Sequence, residues 1–314
     1  MLCNIKSILR FSFSDRAPML DNIRLALNVL FVTLNTAITA FVVCLFALFK
    51  LLLPFKAAQV AFTRLANKQF WLWATLNLWM LNVNNDIKWQ VEGGEELSLE
   101  KWYLMMSNHI SWSDIVILTS VLKDKMPMSK FFLKHDLLYV PFVGLACWGL
   151  DMPFMKRHSR EFLLRHPERR NDDFEAIQKS CKKFQQTPTT LVNFVEGTRA
   201  SQDKLATVKT PYQHLLKPKT GGLAFALSAM GPILDGIVNV TLAYPENQES
   251  PFIDMLKGNL TSVVVHIKVH PMDENVNGDY FKDKAFKRRF HSWLNDEWKE
   301  KDEYLKGVYE QHQK

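Results

Sequence analysis

The segment Ser107-Asn108-His109-Ile110-Ser111-Trp112-Ser113-Asp114 sets a histidine and an aspartate five residues apart, directly after the apolar run Trp102-Tyr103-Leu104-Met105-Met106. An imidazole exchanges protons near neutral pH, and a carboxylate on one ring nitrogen fixes its tautomer and stabilises the imidazolium that forms. Spacing by itself is a weak sign, because His291 and Asp296 repeat it inside the charged stretch Lys287 to Glu300. Two residues five apart on a regular helix point about 140° away from each other, so that second pair reads as two diverging surface residues. His109 has a different setting, with one apolar run before it and another, Ile115 to Leu118, after it. A strand–turn–helix junction there folds Asp114 back onto the imidazole and makes a general base with its orienting acid.

A second charged group follows another apolar run. Thr190 to Val195 leads into Glu196-Gly197-Thr198-Arg199, where Gly197 permits a tight turn and Arg199 offers a rigid fork of donors suited to phosphate. Away from a strand end, such a tetrapeptide is more often a turn with a surface ion pair. Between the two constellations stand two more cations, Lys134 and Arg157, and the mostly apolar stretch Trp148 to Phe154, which either lines an apolar groove or belongs to the core.

The elements that must position these residues alternate. Ile87 to Val91, Trp102 to Met106, Thr190 to Val195, Ile237 to Ala243 and Ser262 to Val269 read as strands. Asp172 to Gln186 carries Phe174, Ile177, Cys181 and Phe184 at helical spacing, with Asn171 or Asp172 as cap, and Gly222 to Met230 reads as a short buried helix after a Gly-Gly turn. This alternation predicts an α/β domain with a mixed, buried sheet flanked by helices. Ligands of such sheets gather beyond the carboxyl ends of strands, where both constellations fall.

Composition narrows the partners. The chain has 314 residues, 47% hydrophobic, with 39 Lys and Arg against 32 Asp and Glu, a surplus of +7 that favours anionic surfaces or phosphate esters. Nucleic acid is disfavoured, since no zinc-finger spacing, RNP-like strand or Gly-rich phosphate loop is present. Four scattered cysteines, at 3, 44, 147 and 181, argue for a reducing compartment and against a disulfide framework or a zinc site. Leu25 to Phe49 is uncharged and long enough for roughly 30 Å of hydrocarbon, too long for the apolar core of a signal peptide. A second uncharged run, Gln69 to Asn85, carries Trp71, Trp73 and Trp79, and Pro54 lies between the two. Basic residues flank the first run on both sides, as a monotopic hairpin would require, although one true span satisfies the same pattern. The expected division is residues 1–85 as a membrane-anchoring hairpin and 86–314 as the α/β domain, ending in charged helices.

In this order the pieces resemble the glycerophospholipid acyltransferases of the PlsC type. Asn108-His109 with Asp114 is similar to the family's first motif, Asn-His-x-x-x-x-Asp. Lys134, Pro141, Gly144, Gly149 and Arg157 follow its second, Phe194-Val195-Glu196-Gly197-Thr198-Arg199 its third, and Lys219, Gly221 and the strand ending at Tyr244 its fourth. Val195 stands where a proline is usual, and Asn239-Val240 where a Pro-Val step is common. Cys147-Trp148, Met152 to Arg157 and His166 to Arg170 resemble a YihG-like subgroup of the bacterial inner membrane. The resemblance implies acyl transfer from a thioester, acyl-CoA or acyl carrier protein, to the free hydroxyl of a lysophospholipid such as lysophosphatidic acid. It implies no cofactor or metal, and a catalytic domain on the cytoplasmic face. His109 is then the base and Asp114 its orienting group, while Glu196, Gly197, Thr198 and Arg199, assisted by Arg157 or Lys134, seat the acceptor. Acylation of another lysophospholipid, or transacylation, is the alternative. A serine esterase built on Ser107 or Ser111 lacks its Gly-x-Ser-x-Gly elbow, and a non-catalytic scaffold would tolerate loss of His109.

Overall fold

The computed structural model describes residues 13–156, 158, 160–185 and 187–312. Two helices open it, α1 (Phe13–Leu52) and α2 (Lys56–Asn84), lying against each other as a hairpin. The break falls at Leu53-Pro54-Phe55, where proline lacks the amide a continuous helix would use. Both helices outrun the uncharged stretches read from sequence, and α2 takes in Arg64 and Lys68. Of the described helices, one, over Met19–Leu52, is long and apolar enough to cross a membrane.

The rest of the chain alternates as β1 (Lys88–Glu92), β2 (Tyr103–Ser107), α3 (Ser113–Leu122), β3 (Ser129–Phe131), β4 (Leu133–Lys134), α4 (Val143–Gly149), β5 (Phe154–Met155), α5 (Arg160–Arg165), α6 (Asp172–Phe184), β6 (Thr190–Phe194), α7 (Gln202–Thr207), α8 (Thr220–Met230), β7 (Gly236–Ala243), α9 (Pro251–Lys257), β8 (Ser262–Pro271) and α10 (Lys284–His312). Six strands form one sheet in the order β1-β8-β7-β2-β6-β3, parallel except for the β7–β8 pair, while β4 and β5 form a small separate ribbon. Every residue of β2 and β7 is buried, as expected of central strands covered on both faces. Side-chain alternation divides the interior into two cores. Tyr103, Met105, Val192, Val238 and Val240 face α3 and the hairpin, whereas Leu104, Met106, Leu191 and Ile237 face α6, α8 and α10.

Two sequence expectations change. The Gly-Gly pair does not precede α8 but forms its first turn, and a side chain at Gly222 would come within 2.6 Å of Asn193 Nδ2 on β6. The glycine lets the helix start pressed against the strand. The charged C-terminal stretch is a single 29-residue helix that buries Phe286, Phe290, Leu294, Trp298, Lys301 and Leu305. Its polar composition conceals a full apolar face.

The hairpin is not a detached anchor. Ala40, Val43, Ala66, Phe70, Met80 and Leu81 belong to the same core as β2 and α3. Asn28 donates to the Leu256 carbonyl at 2.9 Å, and Asn85 donates to that of Met255 and accepts from the Leu260 amide. At the other end, a cavity of about 220 Å³ separates the hairpin from the domain. There Asp151, 7% exposed, receives Lys50 at 2.7 Å and Lys183 at 2.6 Å, and the buried Lys130 ammonium donates to Asn67 Oδ1 and the Leu150 carbonyl. The stretch Trp148 to Phe154 therefore divides: Leu150 and Met152 are core, while Trp148 and Asp151 line this cavity, whose three lysines make it a poor seat for an acyl chain.

Burial works to raise the Asp151 carboxyl, but Lys50 and Lys183 outweigh it and hold the group below the ordinary carboxylate value. Removing one member of a buried ionic cluster costs about 3 kcal/mol, so Asp151→Asn lowers the melting temperature by several degrees. Because the native value is depressed, this contribution is complete above the unfolded value of about 3.9 and fades as pH falls through the native one. Thermal melts of wild type and variant in detergent will thus differ most near neutral pH and converge below about pH 4; a gap independent of pH would refute the ionic account.

Candidate functional site

The site is assembled where β2, β6 and β7 end side by side. Register sets Ser107 level with Phe194, so the loops leaving β2 and β6 start together, and level with Val240 of β7, which runs on to Ala243 beside the first of those loops. Asn108 pins the first of them. Its amide donates to the Leu242 carbonyl and its oxygen accepts the Leu242 amide, both at 2.9 Å, which continues the β2–β7 pairing through a side chain. The chain then turns outward and re-enters as α3, with Asp114 in the first turn, where the helix dipole favours an anion.

Asp114 is fully buried and engaged on both oxygens. Oδ2 accepts from the Ile110 amide at 2.7 Å, the Ser111 amide at 3.0 Å and His109 Nδ1 at 2.7 Å. Oδ1 accepts from the Tyr244 hydroxyl at 2.8 Å. A carboxylate that only accepts fixes the neutral imidazole as its Nδ1–H tautomer, leaving Nε2 to take a proton. The ring is held from one side by Phe194, stacked 4.0 Å away at 14°, and the His109 side chain stays 16% exposed.

The turn after β6 closes the other side. Gly197 adopts φ +71°, a left-handed conformation suited to glycine, and its amide donates to the Phe194 carbonyl at 2.9 Å. That turn points the buried Glu196 inward, where Oε2 accepts the His109 amide and Oε1 the Leu216 amide, each at 3.2 Å. The Ala200 amide donates to the His109 carbonyl at 2.7 Å, so both backbone groups of His109 are held by this segment. Burial pushes Glu196 up to about 8, against the pull of these amides and of Lys301, and pushes Lys301 of α10 down to about 7. Lys301 donates to the Val240 carbonyl at 2.6 Å and lies over the Trp298 ring. Arg199 is exposed, its guanidinium carbon 4.9 Å from the ring centre of Trp112 in the His109 loop, and Thr198 accepts from Lys204.

The structure thus brings His109, Asp114, Glu196, Gly197, Thr198 and Arg199 into one cluster. Lys134 lies on the β4–β5 ribbon, mostly exposed and paired with Asp136 at 2.5 Å, and Arg157 falls outside the described residues. Ser107 donates to the Asn108 carbonyl and Ser113 to Tyr244, while Ser111 Oγ accepts the Ser113 amide, so the serine-esterase reading finds no hydroxyl on the imidazole. The comparison pair diverges: His291 meets the Tyr280 hydroxyl at 2.8 Å, half-buried, whereas Asp296 is exposed beside Ser292. Among the described residues no three His, Cys, Asp or Glu side chains are grouped to hold a metal ion, and Cys44, Cys147 and Cys181 are free. The sequence reading set Phe194 in the third motif and Tyr244 at the end of the fourth without giving either a role at the imidazole, and it passed over Lys301. Only the strand register brings the first two onto His109 and Asp114, and nothing local signals the third.

A family model described as Acyltransferase matches residues 88–244. The chain is similar to 1-acyl-sn-glycerol-3-phosphate acyltransferase 3 of Arabidopsis thaliana, 26% identical over 192 residues that cover 57% of this chain and 48% of the relative. It is also similar to lysocardiolipin acyltransferase 1 of Gallus gallus, 25% identical over 253 residues covering 76% of this chain and 62% of the relative. The chain therefore spans about half the length of the curated relatives it matches. Among solved structures, the 1-acyl-sn-glycerophosphate (LPA) acyltransferase PlsC from Thermotoga maritima aligns over 86% of this chain and 94% of its own, with a TM-score of 0.49 and 18% identity. The family match takes in half of the sequence, from the first strand of the sheet to the residue after β7, and on that ground the chain belongs to the acyltransferase family.

Proposed function

We propose that this protein moves a fatty acyl chain from a thioester to the free hydroxyl of lysophosphatidic acid, giving phosphatidic acid, at a membrane surface. The observation that carries the reading is the 2.7 Å contact of His109 Nδ1 with a fully buried Asp114, inside the family-matched segment and beside the Glu196–Arg199 turn. His109 Nε2 takes the proton of the acceptor hydroxyl as its oxygen attacks the thioester carbonyl carbon. The tetrahedral oxyanion collapses, the carbon–sulfur bond breaks, and the thiolate leaves with the proton from the imidazolium. No acyl-enzyme is needed. General base catalysis contributes roughly 10²–10⁴ in rate, the remainder coming from positioning and oxyanion stabilisation.

Arg199 is the cation whose position best suits the acceptor's phosphate, being exposed at the rim and steadied by Trp112; Lys134, paired on the surface, and Arg157 are auxiliary. Acyl-CoA and acyl carrier protein both qualify as donor. Another lysophospholipid as acceptor is the second reading, favoured by the likeness to a relative named for lysocardiolipin, which extends over 76% of this chain.

Support for the membrane comes from α1. Leu20, Ile23, Leu27, Leu30, Leu34, Ile38, Phe41, Leu45, Leu48 and Leu52 recur every three or four residues and are exposed, a stripe that water would not tolerate on this scale. The opposite face touches the domain at Asn28 and again at Lys50, points about 33 Å apart along the helix. A helix bound to the domain at both places lies along the membrane surface instead of crossing it, as a hairpin on the cytoplasmic face of a bacterial inner membrane would.

In a purified acyl-transfer assay, His109→Ala abolishes turnover with fold and membrane association intact, while His291→Ala leaves it near wild type. Asp114→Asn keeps the fold but loses about 10³–10⁴ in rate, since the amide cannot stabilise the imidazolium; full activity in the His109 variant would sink the assignment. For Arg199→Ala, KM for lysophosphatidic acid rises roughly fivefold, the size expected for an exposed ionic contact, with the donor KM unmoved. A shift in the donor KM instead would reassign Arg199. Cysteines introduced near Lys6 and near Glu95 both stay unlabelled by a reagent confined to the outer side of the membrane, and labelling near Lys6 alone would make α1 a true span.

A further inference from the structure

Tyr244 is the one side chain on Asp114 Oδ1 that the proton-transfer scheme leaves without a task. It stands immediately after β7, is fully buried, and its hydroxyl donates to Asp114 at 2.8 Å while accepting from Ser113 Oγ at 3.1 Å. The direction of this chain is fixed. Asp114 only accepts, so the phenol must give it the proton, and the Ser113 hydroxyl then fills a lone pair on the phenol oxygen. Burial, reinforced by the Asp114 charge, pushes the Tyr244 hydroxyl well above the usual tyrosine range, so it stays a donor throughout the pH range of the folded protein.

The two Asp114 oxygens are served differently. Three donors converge on Oδ2, one of them His109, whereas Tyr244 alone is described on Oδ1. A donor on one carboxylate oxygen draws charge from the other, and without it Oδ2 becomes a stronger acceptor and Oδ1 an unsatisfied buried anion. We infer that Tyr244, itself set by Ser113, is a positioning residue of the acyl-transfer site: by occupying Oδ1 it keeps Oδ2 turned to His109 and tempers the carboxylate's hold on the imidazole proton. This rests on the proposed role of His109. The other ionisable groups that act on the pair are Glu196, from the turn after β6, and Tyr309, from α10, whose hydroxyl meets the Tyr244 main chain, a contact that Tyr244→Phe keeps; Lys301 stands behind Glu196, and Arg199 lies on the outer side against Trp112.

Tyr244→Phe removes the hydroxyl and keeps the ring, and Ser113→Ala removes only the group that sets it. The first readout is independent of turnover: the downfield proton resonance of the His109 Nδ1–H, identified by its loss in His109→Ala. It moves further downfield in Tyr244→Phe and less far in the same direction in Ser113→Ala. In acyl transfer, Tyr244→Phe lowers kcat roughly tenfold with both KM values within about twofold, and the acidic limb of the pH–rate profile moves up by about half a unit. An unmoved resonance and limb in folded Tyr244→Phe, with only a lower melting temperature, would reduce Tyr244 to packing and overturn the inference. Should that variant fail to fold, Ser113→Ala decides by the same two readouts. A resonance that moves in Tyr244→Phe while the wild-type protein shows no acyl transfer would leave the coupling standing and remove the proposed function instead.

Discussion

Strand β2 carries parallel neighbours on both sides, β6 and β7, and the levels at which they pair decide what else the molecule can do. With Ser107 beside Phe194 and Val240, the loops after β2 and β6 leave together, and β7 runs on beside them far enough for Tyr244 to reach Asp114. A slip of one residue between β2 and β6 would turn the alternating side chains over and carry Phe194 away from His109. The register is held by the interior: β2 and β7 are buried along their whole length, and the two faces use different residues of the same strands. Precision at the imidazole is thus inherited from packing that lies well below it.

Charge in this site is bought with backbone geometry. Asp114 is fully buried yet met by two main-chain amides that a single tight turn orients, whereas the buried Glu196 takes its amides from two separate segments, at His109 and Leu216. Amides of fixed direction solvate an anion without having to reorganise, which suits a step in which charge appears and disappears on a neighbouring ring. Glu196 reaches His109 only through its main chain, so its contribution is to the placing of the loop. Lys301 does the same from the far side, holding the Val240 carbonyl of the central strand pair.

What could be read from the sequence follows from how local each signal is. His109 and Asp114 are separated by one turn of chain, and the apolar runs on both sides mark the junction that folds them together. Glu196 to Arg199 announces itself by a glycine at the end of an apolar run. The main strands were legible from their β-branched and apolar character, though β3, only three residues long, was not. Tyr244 and Phe194 stood inside recognised blocks, but their contacts with Asp114 and His109 needed the strand register, which composition does not contain. Lys301 was the least legible, because lysine in a charged stretch reads as solvated, and its burial depends on a helix packing across the back of the sheet from far along the chain.

That last helix bears on where the working unit ends. The family match stops at Tyr244, but β8, which flanks β7, and α10, which covers one face of the sheet and sends Lys301 towards Glu196, come later. A segment cut at the match boundaries would expose one core and remove Lys301, the cation that α10 sends towards Glu196. Grafting the four motif blocks onto another relative's C-terminal portion would meet the same difficulty, since the helix and the turn have to agree on one buried charge. The heritable module is therefore longer than the recognisable one.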